Sequence, residues 1–342
     1  MPIKNKSIKP LLSYYIHPGW MNLLTKAADK VNIEISYGAS NRIMASESSK
    51  NMDVREIRDF HYQLYLNSGD PTFTLDAAKQ VTPLTFDSYS LCLWTCPDLL
   101  TLLKDAAAFC ITLGSPIRLS FHLTPQGDAE IWLFNQEPLN KESHITHLGV
   151  TLYLATLVQI IHETTGHQLD ELAVKLITWP YDDNRLAEFE KIMRCQISTG
   201  SPVRKIHIMR KYLHRPLVTQ NPEIYASARS LLLNKAAQLE ADDILLQVYN
   251  TLDKQANLDN LSAESIASQM LFSVRTLNRR LAEVGMSYRS VVEKYKLEKA
   301  LQLLNQPHSN ITEIAFHLGF SDLSTFSRAF KRWTGCSPTK ST

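Results

Sequence analysis

Towards its C-terminal end the chain writes one short pattern twice, and nothing else in it constrains the fold as tightly. Ile266-Ala267-Ser268-Gln269-Met270-Leu271-Phe272-Ser273 returns as Ile314-Ala315-Phe316-His317-Leu318-Gly319-Phe320-Ser321, so Ile, Ala, Phe and Ser recur at an offset of 48. Each copy leads into a second amphipathic run, with Leu277 and Leu281 four apart in the first and Phe326 and Phe330 in the second. Each run stops at Gly-x-Ser, namely Gly285-Met286-Ser287 and Gly335-Cys336-Ser337. A short helix, a tight turn and a second helix opened by a serine make a helix-turn-helix, here present in two copies.

The local chemistry supports that arrangement. Ser262 and Ser273 are placed to cap the two helices of the first copy, each side-chain oxygen taking a free backbone N–H. Asn310 with Glu313 has capping-box spacing in the second. Ala267 and Ala315 are small enough for helices to cross closely, and Ile266, Met270, Ile314 and Leu318 supply a buried stripe. Gly319 suits a left-handed turn residue; Leu271 holds the equivalent place in the first copy, so a strained or differently shaped turn is expected there. Between the copies Tyr288–Leu304 reads as a helix with Val291, Val292, Tyr295, Ala300, Leu303 and Leu304 apolar. At 1.5 Å per residue it is a strut of about 25 Å. Major grooves on one DNA face recur about 34 Å apart, so one chain can bridge two of them.

These residues resemble the C-terminal DNA-binding domain of AraC/XylS-type transcription regulators. The likeness is carried by Ser273-Val274-Arg275-Thr276-Leu277-Asn278-Arg279-Arg280-Leu281, by the order-specific run Ile314–Arg332, and by Thr334-Gly335-Cys336-Ser337-Pro338. It covers about the last quarter of the chain. By helix geometry Arg275, Asn278 and Arg279 point outward together while the leucines face inward. Arg suits guanine O6 and N7, and Asn suits adenine N6 and N7. The resemblance implies base or nearby backbone contact at the same positions, with Ser273 and Thr276 beside them. In the second unit it points to Leu323, Ser324 and Arg328; Leu323 suits a thymine methyl. Thr325, Lys331 and Arg332 are better placed for phosphate, which positions a protein without reading sequence. Asp322 would repel phosphate and is expected to cap its helix, and Arg280 is expected on the core side.

Charge agrees. Of the 36 Lys+Arg and 34 Asp+Glu, residues 260–342 hold 11 and 6, leaving 25 and 28 for the rest. A basic end on a slightly acidic body suits phosphate contact by the end alone. Five cysteines, Cys92, Cys96, Cys110, Cys195 and Cys336, are few and odd in number. They read as reduced thiols in a cytoplasmic chain rather than a disulfide framework. No apolar run approaches twenty residues, and the basic start has no apolar core behind it, so neither a membrane span nor a secretory signal is expected.

The first 240 residues read as a mixed α/β body. Helices are expected over 20–31, 53–67 and 98–113, the last capped by Asp98. Ile117–Leu123 alternates, turns at Thr124-Pro125-Gln126-Gly127-Asp128 and returns as Ala129–Phe134, a hairpin. His144–Thr165 is apolar enough for a core helix stopped at Gly166. A third strand is expected over 172–178, helices over 185–194 and 222–239, and a short strand over 206–209. Polar joints place a boundary at 240, with Ile244–Leu252 on the DNA-binding side. More diffusely, the body resembles the arabinose-binding-type N-terminal region of some AraC-like regulators, in its order of elements and in Arg215-Pro216-Leu217 followed by Asn221-Pro222. That likeness implies signal reception and dimerisation without naming the signal. Phe109, Phe121, Trp132 and Tyr153 are candidates to line an effector cavity, the alternative being plain core packing.

Other constellations carry less. In His162-Glu163-Thr164-Thr165-Gly166-His167 the histidines are five apart, whereas zinc-protease chemistry needs them four apart on one helical face. His144 and His147 lack a third ligand nearby, and Cys92 and Cys96 read as small core residues before Pro97. No phosphate-cradling glycine loop and no nucleophile elbow occur, so neither an enzyme, a metal nor a cofactor is expected. The expectation is therefore an α/β N-terminal effector-binding and dimerisation domain, residues 1–240, and an all-α C-terminal domain with two helix-turn-helix units, residues 241–342. Its partners would be double-stranded promoter DNA, a small-molecule effector, a second copy of the chain, and RNA polymerase where it acts as an activator; the residues do not separate activation from repression. The alternatives are a constitutive DNA-binding protein whose body only dimerises, and a cysteine-based sensor on the same reader, which would need a hyper-reactive Cys92, Cys96 or Cys195.

Overall fold

The computed structural model describes residues 15–30, 52–114, 117–135, 146–255, 258–259, 261–307 and 309–338. The expected helix residues Val31, His144 and Ile145 lie outside them. Tyr15–Ile16 (β1) and Met52–Asp53 (β2) form an antiparallel ribbon. The body is organised on a sheet of Ile117–Leu123 (β3), Ala129–Asn135 (β4), Leu172–Lys175 (β5), Gln196–Ser198 (β6) and Arg204–Ile208 (β7), in the order β3-β4-β7-β5-β6. Among the described strands, only β5 and β6 run parallel. The β3–β4 hairpin has the expected register, Ile117 opposite Asn135 and Leu123 opposite Ala129. Its turn closes as Gly127 donates its backbone N–H to the Thr124 carbonyl at 2.9 Å.

Around the sheet lie Gly19–Lys30 (α1), Val54–Ser68 (α2), Phe73–Ala78 (α3), Ser88–Thr95 (α4), Leu99–Ala108 (α5), His147–Thr164 (α6), Leu186–Met193 (α7), Arg210–Leu213 (α8) and Pro222–Asp242 (α9). Asp98 caps α5 by accepting from Thr101 N at 2.8 Å. The helix expected over 98–113 is divided: Phe109 leaves helical geometry, and Cys110–Leu113 follows as a tighter 3₁₀ turn. Helix α6 is buried on nearly every side, as an apolar core helix must be, and the chain reverses at Gly166 with φ 63°.

The C-terminal part, the expected DNA reader, comprises Ile244–Leu252 (α10), Ala263–Gln269 (α11), Val274–Glu283 (α12), Tyr288–Leu304 (α13), Ile311–His317 (α14) and Leu323–Thr334 (α15). The four caps expected from the sequence form. Ser262 accepts from Ser265 N, Ser273 from Thr276 N, Asn310 from Thr312 N and Glu313 N, and Asp322 from Thr325 N. Glu313 returns a contact to the Asn310 side-chain amide, so that capping box closes on Nδ2. Gly319 has φ 71°, and a Cβ there would lie 2.4 Å from the Leu258 carbonyl oxygen. Leu271 is forced into the same left-handed region at φ 58° and is 93% exposed. Of the two shapes expected for it, the first turn keeps the left-handed one and is strained rather than differently shaped.

Two cores form, and they meet on β4. Ile131 and Leu133 join the body core, whereas Trp132 and Phe134 pack with Val248, Leu252 and the other apolar residues of the reader. Strand alternation sends successive residues to opposite faces, so one strand serves both cores. The division expected at 240 falls in the last turn of α9, and Asp243 then caps α10 by accepting from Leu245 N and Leu246 N.

Candidate nucleic-acid interface and effector cavity

Each reading helix is held by its apolar face. In α12, Leu277 and Leu281 are fully buried, which turns Arg275, Asn278 and Arg279 outward as exposed residues. Arg279 pairs with Glu283 one turn on, an exposed i, i+4 contact that DNA can displace. Ser273 and Thr276 are tied into the cap, with their hydroxyls 2.9 Å apart. Arg280 lies with its guanidinium 4.7 Å from the Phe272 ring centre, on the core side as expected.

In α15, Phe326 and Phe330 are fully buried, and Leu323, Ser324, Arg328, Lys331 and Arg332 are exposed. Thr325 is half-buried, and its hydroxyl donates to the capping Asp322 at 2.9 Å. Those hydrogen bonds hold the Asp322 carboxyl below the usual carboxylate range, so a negative charge stays fixed at the helix start. Arg332 is shared, 3.5 Å from Glu293 of α13, which Arg289 also approaches at 3.4 Å. Lys331 is exposed and, among the described residues, carries no such pair.

The four aromatic residues expected around an effector do not converge. Phe109 is buried under the Arg229 guanidinium, Phe121 is half-buried on β3 with Lys104 above it, and Trp132 faces the reader core with its indole N–H on Glu130 at 2.7 Å. Of the four, Tyr153 lines a cavity between α1, α2, α6 and the start of β3. Sequence reasoning missed its partner there, His61, which α2 buries; a single histidine on an amphipathic helix gives no local signal of its role.

A second space opens between body and reader, walled by Cys110, Gly114, Ile117 and Arg118 on one side and by Asp243, Leu245 and Tyr249 on the other. Beside it Arg118 pairs with the buried Glu298 of α13 and lies 4.8 Å over the Tyr249 ring. The Tyr249 hydroxyl donates to Glu298 at 3.2 Å, and the Lys294 ammonium donates to the Asn135 carbonyl. These buried charges were also missed, because a Lys and a Glu one turn apart on a strut read as solvated surface.

Among the described residues, one group has ligand-type atoms close enough for a metal ion: Cys92, Cys96 and Asp105, all within 4.8 Å. Asp105 is already engaged, accepting from the Tyr225 hydroxyl at 2.7 Å and from Arg229 Nε at 3.3 Å, which ties α9 to the body. A hydrogen bond to Cys92, then burial, raise the Cys96 thiol pKa, and burial pushes Cys195 up to about 12. Neither is the reactive thiolate that a cysteine sensor needs. His162 is buried with Nε2 3.1 Å from the Met193 carbonyl, and His167 lies beyond the helix end, so the pair shares no helical face.

Residues 266–341 match the model of a helix-turn-helix domain, and residues 37–217 match that of the arabinose-binding domain at the N-terminus of AraC transcription regulators. The chain is 28% identical over 212 residues to the ornithine utilization regulator of Pseudomonas aeruginosa, covering 62% of this chain and 61% of that protein. It is 32% identical over 131 residues to the HTH-type transcriptional regulator VqsM of the same organism, 37% of this chain and 40% of that one. In both cases less than two thirds of the relative's length is matched. The crystal structure of the transcriptional regulator CdpR from Pseudomonas aeruginosa aligns over 94% of this chain and 96% of its own, at 18% identity and a TM-score of 0.48. No helix among the described residues is long and apolar enough to cross a membrane.

Proposed function

The chain belongs to the AraC transcription regulators, and from that premise we propose a sequence-specific promoter reader whose occupancy is set by a small molecule bound in its body. The observation that carries the DNA-reading assignment is the exposed set Arg275, Asn278 and Arg279 on α12, matched by Leu323, Ser324 and Arg328 on α15. Both sets are held outward by fully buried apolar residues at i, i+4. Arg and Asn side chains of this kind read guanine and adenine edges in the major groove. Lys331, Arg332 and Thr325 position the helix on phosphate, with Ser273 and Thr276 at the start of the first reading helix.

The division of labour belongs to the same proposal: residues 1–240 receive the signal and dimerise, and residues 241–342 read DNA. Effector control is supported by the described cavity inside the body and by the charged contact of Arg118 with Glu298, which ties body to reader. A ligand that binds one arrangement of the two parts better than the other shifts the population between them. RNA polymerase contact follows for an activator.

The test is a footprint of the purified chain on its bound DNA. Asn278→Ala should lose preference at one adenine-containing position, at a cost of about 1–3 kcal/mol, while leaving contacts of the second unit in place. An unchanged footprint and affinity would remove α12 from the reader.

A further inference from the structure

Two buried polar groups of the body lack a hydrogen-bond partner among the described residues and belong to the walls of one cavity. Tyr153 is 6% exposed and its hydroxyl is unsatisfied; His61 is 2% exposed and its Nε2 is unsatisfied. Tyr153 and His61 both line the cavity beneath α1, with Trp20, Ile57, Leu113 and Leu152 among its apolar walls. Leaving such groups unsatisfied costs free energy, and native proteins seldom retain them without a use. Among the described residues no Lys, Arg, Asp or Glu lines it, so a charged ligand would find no counter-ion among them. Burial also holds the His61 pKa down to about 3, which leaves its imidazole neutral.

Resting on the effector-controlled reading above, we propose that this cavity is the effector site, and that it takes an uncharged, largely apolar molecule bearing one hydroxyl or comparable oxygen function. The phenol of Tyr153 donates to that oxygen, and the imidazole of His61 exchanges a second hydrogen bond with it. Trp20, stacked on Tyr153 at 5.0 Å, packs the apolar part.

The site is placed to be felt by the reader. Gly114 and Ile117 wall both this cavity and the space between body and reader. The residue after Ile117 is Arg118, whose guanidinium holds Glu298 on the strut between the two helix-turn-helix units. A ligand that moves Ile117 moves the root of that contact.

The experiment is titration calorimetry of the intact chain with 1-octanol, octanoate and octylamine, with gel shift of a bound DNA fragment run on the same preparation. Expected is saturable binding of 1-octanol, with octanoate and octylamine at least about tenfold weaker because each carries a charge into a site lacking its partner. Tyr153→Phe, which keeps the ring, should weaken 1-octanol about fivefold, and His61→Phe should do likewise. Absence of 1-octanol binding, equal binding of octanoate, or unchanged affinity in both variants overturns the assignment. If gel shift persists through such a result, the cavity assignment fails alone and DNA reading stands; loss of gel shift with 1-octanol binding intact has the opposite meaning.

Discussion

Replacing Leu271 by glycine should stabilise the first helix-turn-helix, even though it removes a large apolar side chain. Leu271 sits at φ 58°, where a side chain costs about 1–2 kcal/mol that glycine does not bear. Glycine loses about 0.5–1 kcal/mol more backbone entropy on folding. Because Leu271 is 93% exposed, there is little burial to forfeit. The net gain is then about 0.5–1 kcal/mol, or a two- to fivefold slowing of local opening. Hydrogen exchange read by mass spectrometry on peptides spanning α11 and α12 measures this directly, since local opening sets the exchange rate. The second copy supplies the reciprocal. Gly319→Ala would meet the same left-handed penalty, and its Cβ would lie 2.4 Å from the Leu258 carbonyl oxygen and 2.7 Å from the Asp259 Cα. Backbone on that side must move, so at least about 2–3 kcal/mol should be lost and exchange across α14 and α15 accelerated accordingly. Faster exchange in Leu271→Gly would refute the strain argument.

Three further outcomes follow from named groups. Tyr153→Phe should stabilise the ligand-free chain by about 1 kcal/mol in denaturant unfolding, since it removes a buried hydroxyl with no partner among the described residues; destabilisation would mean the hydroxyl is structural. For His61 the unfolded imidazole titrates near 6.5 and the folded one at about 3, so only the unfolded chain binds the proton between those values. Stability should therefore fall by about 1.4 kcal/mol per pH unit as pH drops below 6.5, and His61→Phe should flatten that slope, as unfolding measured from pH 6.5 to 4 will tell. Lys331→Ala should weaken DNA binding at all sequences and lower the salt slope by about one; an unchanged slope would return Lys331 to solvent.

The reader was largely legible because its signals are local. Ser262, Ser273 and Asn310 announce helix starts by their own side-chain chemistry, and Asp322 does the same once Leu323 is recognised as the first helical residue. The body was legible where periodicity speaks, in β3, β4 and α6, and opaque where it does not. Helix α4 is buried on nearly every side, so Ser88–Thr95 lacks an amphipathic period. The strands β1 and β2 are two residues each, too short for any alternation. The cavity was legible only in Tyr153. His61 joins it from a helix distant in sequence, whereas Phe109, Phe121 and Trp132 shared with Tyr153 nothing more than aromatic character. Trp132 faces the reader because β4 has apolar residues on both faces, and alternation alone cannot say which core each face belongs to. Lys294 and Glu298 were hidden for a related reason: their partners, Asn135 and Arg118, lie more than a hundred positions away.

The central claim is that α12 and α15 read two neighbouring segments of promoter DNA, and mapping of genomic DNA captured by the intact chain tests it most directly. Discrete sites are expected, sharing two short contacted blocks about one helical turn apart, with the first block lost when Arg275 and Asn278 are both replaced by alanine. Capture spread evenly over the genome, or unchanged sites in the double variant, would contradict it.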